Sequence, residues 1–151
     1  MRWEKANKKH LRQIAKKVLY TAVATAIGGR NGKVTSDNEV LDLQVRAPKA
    51  MGGANDDYTN PEQLFAAGYA ACFDSALNHT IRLEKVKTGE TSVTAKVAIG
   101  PLEGGAVELA VNIAEISIEE ARRLTERAHQ VCPYSNATRN NIQVSLVTTN
   151  N

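Results

Sequence analysis

The chain has 151 residues, 42% apolar and 23% charged, which suits one ordinary globular domain with a single real core. No apolar run approaches the roughly 20 residues that a membrane span needs, and the basic N-terminus lacks the apolar core of a signal peptide, so a cytoplasmic protein without a membrane partner is expected. The net charge of +3 divides unevenly: residues 1–17 hold seven Lys/Arg against Glu4, which is +6, and residues 18–151 therefore carry −3.

The expected organisation is a basic N-terminal extension over residues 1–17 and one domain over residues 18–151. A basic arm of this kind is more often a solvated terminus than a nucleic-acid contact, and no nucleic-acid partner is expected. Within residues 1–16, Trp3, Ala6, Leu11 and Ile14 fall roughly on one helical face, the spacing of a short amphipathic helix. Residues 18–27 are rich in β-formers and lead into Gly28-Gly29-Arg30-Asn31-Gly32. Asn-Gly is a favoured pair in tight hairpin turns because both residues tolerate positive φ, so a hairpin with Arg30 at or beside its tip is expected. Leu41, Leu43 and Val45 alternate with Asp42, Gln44 and Arg46, a strand with one wet face. Residues 51–59 form a polar, glycine-containing loop with no lysine-terminated phosphate cradle after it.

The most distinctive stretch follows at residues 60–73, NPEQLFAAGYAACF. Asn60 reads as a helix N-cap, Pro61 suits the first helical position, and Glu62 complements the positive end of the helix dipole. From Leu64 to Phe73 there is no charge, so a helix running to about Arg82 should be apolar on every side and buried. Cys72 sits inside it. Val93, Ala95, Val97 and Ile99 alternate as a strand, residues 101–105 turn the chain, and Val107, Leu109, Val111 and Ile113 form the hairpin partner. Ser117-Ile118-Glu119-Glu120 has capping-box spacing. The helix it opens carries Ala121, Leu124, Ala128 and Cys132 on one stripe and stops at Pro133. Ile142, Val144 and Leu146 alternate in a last strand. The pattern is α+β: antiparallel sheet with two principal helices, each bringing one cysteine inward.

Two thiols 60 residues apart lack the paired spacing of a zinc site, and a structural disulfide is not expected in a cytoplasmic chain. They are either inert core thiols or a redox pair. Burial alone raises a thiol above its usual pKa of roughly 8.5 and makes it unreactive, so reactivity requires a cation nearby. Arg30 on its turn is the candidate, because guanidinium stays charged and bonds in a fixed plane; otherwise it is an exposed hairpin residue. Glu62 has a role in the helix dipole and could also hold Arg30 through a bidentate contact. Yet ten helical residues, a rise of roughly 15 Å, separate Glu62 from Cys72. Either the helix breaks between them or Glu62 serves a pocket built with another subunit, and the second is favoured. His10, His79 and His129 have no spacing of a catalytic dyad or a metal site, so no metal and no bound cofactor are expected. Two inward thiols and an arginine fit thiol peroxidase chemistry. Cys72 would attack the O–O bond to give an alcohol and a sulfenic acid, a second thiol would condense with it, and an external dithiol would reduce the disulfide. An apolar lining would favour organic hydroperoxides.

Three separated motifs, NPEQLFAAGYAACF, VLYTAVATAIGGRNG and HQVCPYS, resemble the organic hydroperoxide resistance protein family of the OsmC-like superfamily, over about residues 16–149. The resemblance implies an OsmC-like fold, with antiparallel sheets packed around two principal helices. It also implies an intertwined homodimer whose two subunits build each active site. It implies reduction of alkyl and fatty-acid hydroperoxides, recycled by a dihydrolipoamide-type dithiol carried on a lipoylated protein or supplied otherwise. By motif, Cys72 matches the attacking cysteine, Cys132 the resolving one, Arg30 the arginine that activates the thiolate, and Glu62 the carboxylate that orients it. The stretch before Lys16-Lys17-Val18 lies outside the resemblance. Two alternatives are the osmotically induced branch of the superfamily, with broader substrates, and a peroxide-sensing or nucleic-acid-binding module that uses the basic arm.

Overall fold

The computed structural model describes residues 18–100 and 105–151, which form two compact units dividing between Tyr58 and Thr59. The helix expected within residues 1–16 lies outside the described residues, as does the turn expected over residues 101–105 except for Gly105, which is already strand.

The first unit is an antiparallel meander of β1 (Ala24–Ile27), β2 (Lys33–Ser36) and β3 (Asp42–Gln44). Ala26 faces Val34 across the first pair and Val34 faces Leu43 across the second. Only the end of the β-rich stretch before Gly28 becomes strand. The hairpin between β1 and β2 is present, but it closes through a short 3-10 turn, Gly29–Asn31. The left-handed residues are Gly28 (φ 80°) and Gly29 (φ 56°), not Asn31 and Gly32. Gly32 is required for another reason: a Cβ there would lie 1.7 Å from the Ile27 carbonyl oxygen. Arg30 occupies the middle of the turn.

The second unit begins with α1 (Pro61–Glu84). The Asn60 side chain accepts the Gln63 N–H at 2.8 Å, as its capping role requires. The helix runs two residues past its expected end and stops where Lys85 turns left-handed (φ 55°), its N–H reaching the Arg82 and Ile81 carbonyls. Next come β4 (Thr91–Ile99), β5 (Gly105–Ile113), α2 (Ile118–Val131), α3 (Pro133–Thr138) and β6 (Gln143–Thr149). Ser117 caps α2 by accepting the Glu120 N–H at 3.2 Å.

β5 is the central strand, antiparallel to β4 and parallel to β6. The parallel pair departs from a purely antiparallel sheet, because alternation reports which side chains share a face and not which way a strand runs. Val107 and Leu109 meet Val97 and Ala95 on one side and Val144 and Leu146 on the other. α2 and α3 make the crossover that a parallel pair demands.

Tyr69, Phe73, Leu77 and Ile81, spaced four apart on α1, share one core with Leu109, Val111 and Ile113 of β5 and with Ala121, Leu124 and Ala128 of α2. Each large side chain buried there contributes about 1.5–3 kcal/mol. One face of α1 departs from the expected all-round burial, for Ala67 and Ala71 are exposed. An uncharged helix surface marks what a helix can bury, and this chain by itself covers only the side bearing the large residues.

Candidate active site

Cys72 precedes the buried Phe73 on α1, which places it at the edge of the core stripe. It is half-buried and opens into a cleft of about 540 Å³ with Ala76, His79, Leu83, Val131 and Pro133. Cys132 closes the α2 stripe, as its spacing indicated, and is fully buried. Both cysteines are free thiols, and the two sulfurs lie 3.8 Å apart. A disulfide bond of about 2.05 Å needs a closure of roughly 1.8 Å more.

Burial pushes the Cys72 thiol above its ordinary pKa. The Tyr134 backbone N–H, donating to that sulfur, pulls the other way, and the neighbouring Cys132 adds to the rise. Pro133 has no N–H to give, so the hydrogen bond comes from the next residue along α3. The chain turn that presents Cys132 therefore also serves the sulfur of Cys72.

The Tyr134 ring lies over Gly68, one turn before Cys72; a Cβ on Gly68 would meet its hydroxyl at 2.7 Å. It packs with Phe65 and Tyr69 at centroid distances of 5.9 and 5.6 Å. Beneath it, the buried Tyr69 hydroxyl lies 3.0 Å from Ser135 Oγ and 3.2 Å from Thr138 Oγ1, and His129 Nδ1 lies 2.9 Å from Ser135 Oγ. Arg139 donates to the His129 carbonyl at 2.7 Å. Burial and the Arg139 charge hold the His129 pKa below its usual range. Sequence reasoning missed this cluster, although the HQVCPYS motif contains three of its members. Each hydroxyl is ordinary as a helix-surface residue, and only the fold shows that they converge.

Arg30 stands half-buried in the Gly29–Asn31 turn of the first unit. Another residue that sequence reasoning passed over, Arg46, braces the base of that turn. It donates to the Gly32 and Val45 carbonyls at 2.9 and 2.7 Å and stacks 5.0 Å over the Tyr58 ring. Glu62 is half-buried in the first turn of α1 and lines a mostly apolar cleft of about 460 Å³ with Phe65, Val97, Val107 and Ile142. Since α1 is continuous, Glu62 and Cys72 of one chain stay about 15 Å apart along it and line different clefts. Within the second unit, then, the structure joins the two cysteines and keeps Glu62 away from them.

His79 borders the Cys72 cleft, and His10 lies outside the described residues. Among the described residues, no group of three or more His, Cys, Asp or Glu could hold a metal ion, and no helix is long and apolar enough to cross a membrane.

A family model described as OsmC-like protein matches residues 53–147. The organic hydroperoxide resistance protein of Xanthomonas axonopodis pv. citri is 51% identical over 134 residues, which cover 86% of this chain and 94% of that one. Organic hydroperoxide resistance protein OhrA of Bacillus subtilis is 48% identical, with 85% and 94% covered. The crystal structure of an organic hydroperoxide resistance protein from Elizabethkingia anophelis superposes with a TM-score of 0.86 at 65% identity, over 89% of this chain and 99% of that one. OhrB of Bacillus subtilis gives 0.75 at 41% identity, over 87% and 100%.

Proposed function

Because the chain belongs to the organic hydroperoxide resistance family of OsmC-like proteins, we propose that it is a cysteine-based peroxidase that reduces organic hydroperoxides to alcohols. One observation carries the assignment of roles: two free thiols touch, and only one of them opens to a cleft. A substrate reaches Cys72, whereas Cys132 is accessible only to Cys72.

The Cys72 thiolate attacks the terminal oxygen of ROOH. The O–O bond breaks, Cys72 becomes the sulfenic acid, and the departing alkoxide takes a proton to leave as the alcohol. Cys132, as thiolate, then attacks the sulfenic sulfur, and hydroxide leaves and is protonated to water. The resulting disulfide returns to two thiols by exchange with an external dithiol of the dihydrolipoamide type, which is itself oxidised to a disulfide. No bound cofactor takes part.

The first step needs a thiolate, and burial works against it. Arg30 is assigned to supply the compensating positive charge, and Glu62 to orient it. The separation of Glu62 from Cys72 along one uninterrupted helix supports a site built by two chains, hence a homodimer in which a carboxylate from one subunit serves the sulfur of the other. The exposed alanine face of α1 fits that arrangement. Residues 18–151 act as one cytoplasmic domain, and residues 1–17 are an appended arm with no part in the chemistry. Ala76, Leu83, Val131 and Pro133 give the cleft beside Cys72 an apolar wall for an alkyl or acyl chain, next to the charged Arg82, Glu84 and Arg127, and an organic hydroperoxide is assigned over the small polar hydrogen peroxide.

Steady-state reduction of cumene hydroperoxide and of hydrogen peroxide, each with dihydrolipoamide as donor, tests the proposal. Repeated turnover with a clear preference for the bulky substrate is expected. A single equivalent consumed without cycling would identify a sensor instead, and equal rates on both peroxides would remove the substrate assignment.

A further inference from the structure

We propose that Tyr69 is a positioning residue for the second sulfur, its buried phenol pinning the turn that carries Cys132 so that this sulfur stays beside Cys72; the consequence for turnover rests on the peroxidase reading, whereas the geometry does not. Two contacts join the same two pieces of backbone. Cys72 meets Cys132 at 3.8 Å, and Tyr69 meets Ser135 at 3.0 Å. In each piece the two residues are three apart, Tyr69 before Cys72 and Ser135 after Cys132, so both pairs bridge from one face of α1 to one face of the α2–α3 junction. The hydroxyl pair sets the register for the sulfur pair.

α3 needs such a pin. It has six residues and no side-chain cap at its start, and a helix that short does not hold itself. Counting protons shows how the pin is wired. Thr138 Oγ1 approaches the Tyr134 and Ser135 carbonyls at 3.0 and 3.2 Å, and since carbonyls only accept, the threonine hydrogen goes to them. The Tyr69 hydroxyl must then donate to Thr138, Ser135 must donate to Tyr69, and the His129 Nδ1–H must donate to Ser135. The chain runs in one direction and ties α1, α2 and α3 together around Cys132. Removing the Tyr69 hydroxyl takes out its central link, leaving Ser135 without an acceptor and Thr138 without a donor.

The test is the equilibrium between the reduced pair and its disulfide in glutathione buffers, measured on the full chain without any peroxide. Tyr69→Phe keeps the ring and should make the disulfide easier to reduce by roughly five- to a hundredfold, the worth of the two hydrogen bonds the phenol makes. Ser135→Ala should shift the equilibrium in the same direction and serves if Tyr69→Phe does not fold. Thr125→Val, which removes a buried hydroxyl bonded to the Ala121 carbonyl at 2.8 Å and outside the chain of bonds, should cost stability and leave the equilibrium unchanged. An unshifted equilibrium in Tyr69→Phe, an equal shift in Thr125→Val, or a wild-type pair that forms no disulfide in these buffers would overturn the inference. A wild-type protein that forms the disulfide but does not turn over hydroperoxide would defeat the peroxidase reading and leave the positioning role standing.

Discussion

Gly68→Ala would place a methyl carbon where the Tyr134 ring now lies, 2.7 Å from its hydroxyl oxygen, 3.2 Å from Cζ and 3.3 Å from Cε2. The ring must swing out. Elsewhere in a helix interior the same change stabilises by about 1 kcal/mol, since alanine loses less backbone freedom on folding. Here the displaced ring gives up its packing on Phe65 and Tyr69, about 0.5–1.5 kcal/mol for each pair. The net effect should therefore run from near zero to a loss of about 2 kcal/mol. In a Tyr134→Ala background the obstacle is gone, and Gly68→Ala should become stabilising by about 1 kcal/mol. Urea unfolding of the four proteins at one fixed concentration completes the cycle, with an expected coupling of about 1–3 kcal/mol. If alanine stabilises both backgrounds equally, the tyrosine does not occupy the glycine notch and the packing described around Cys132 is wrong.

Cys72→Ser should abolish peroxide consumption, whereas Cys132→Ser should consume one equivalent per chain and then stall; mass spectrometry should find Cys72 over-oxidised to the sulfinic acid. Arg30→Ala should slow alkylation of Cys72 at neutral pH by about tenfold for each pKa unit the thiol regains, with an unchanged circular dichroism spectrum; an unaltered alkylation rate would remove the activating role. His129 takes up its proton less readily when folded than when unfolded, so stability should fall as pH drops below about 6.5 until the folded group also protonates. His129→Asn, whose side-chain amide can replace the Nδ1–H donor, should flatten that slope in urea midpoints measured from pH 5 to 8; the same slope in both proteins would assign it to other groups.

The helix ends and strand faces were legible because they depend on local chemistry. Asn60 and Ser117 cap where a short oxygen-bearing side chain precedes an apolar run, and Cys132 is buried because it completes the stripe of Ala121, Leu124 and Ala128. Both thiols were therefore foreseen to point inward, and they do meet. What stayed hidden depends either on chain partners far away in sequence or on a residue that suits two local geometries. The direction of β6 is set by which edge of β5 it finds. The hairpin around Arg30 was expected for its Asn-Gly pair, but its left-handed residues are the two glycines before the arginine. α3 was invisible because Pro133, correctly read as the stop of α2, is also the first residue of the next helix. Ala67 and Ala71 show the limit of composition: nothing in a charge-free helix tells which of its sides this chain covers alone.

The parallel alignment of β6 with β5 bears on how the protein is made. Strand β6 leaves the ribosome after the other elements described above, and until it docks along residues 106–112 one side of the central strand is bare and the crossover holding Cys132 is anchored at one end only. A growing chain can complete α1 and the β4–β5 pair, but the connection that brings the second thiol home closes only once residues 143–149 have been made. The oxidisable pair is thus assembled after α1, β4 and β5, when the surrounding fold can already limit which partner each thiol meets.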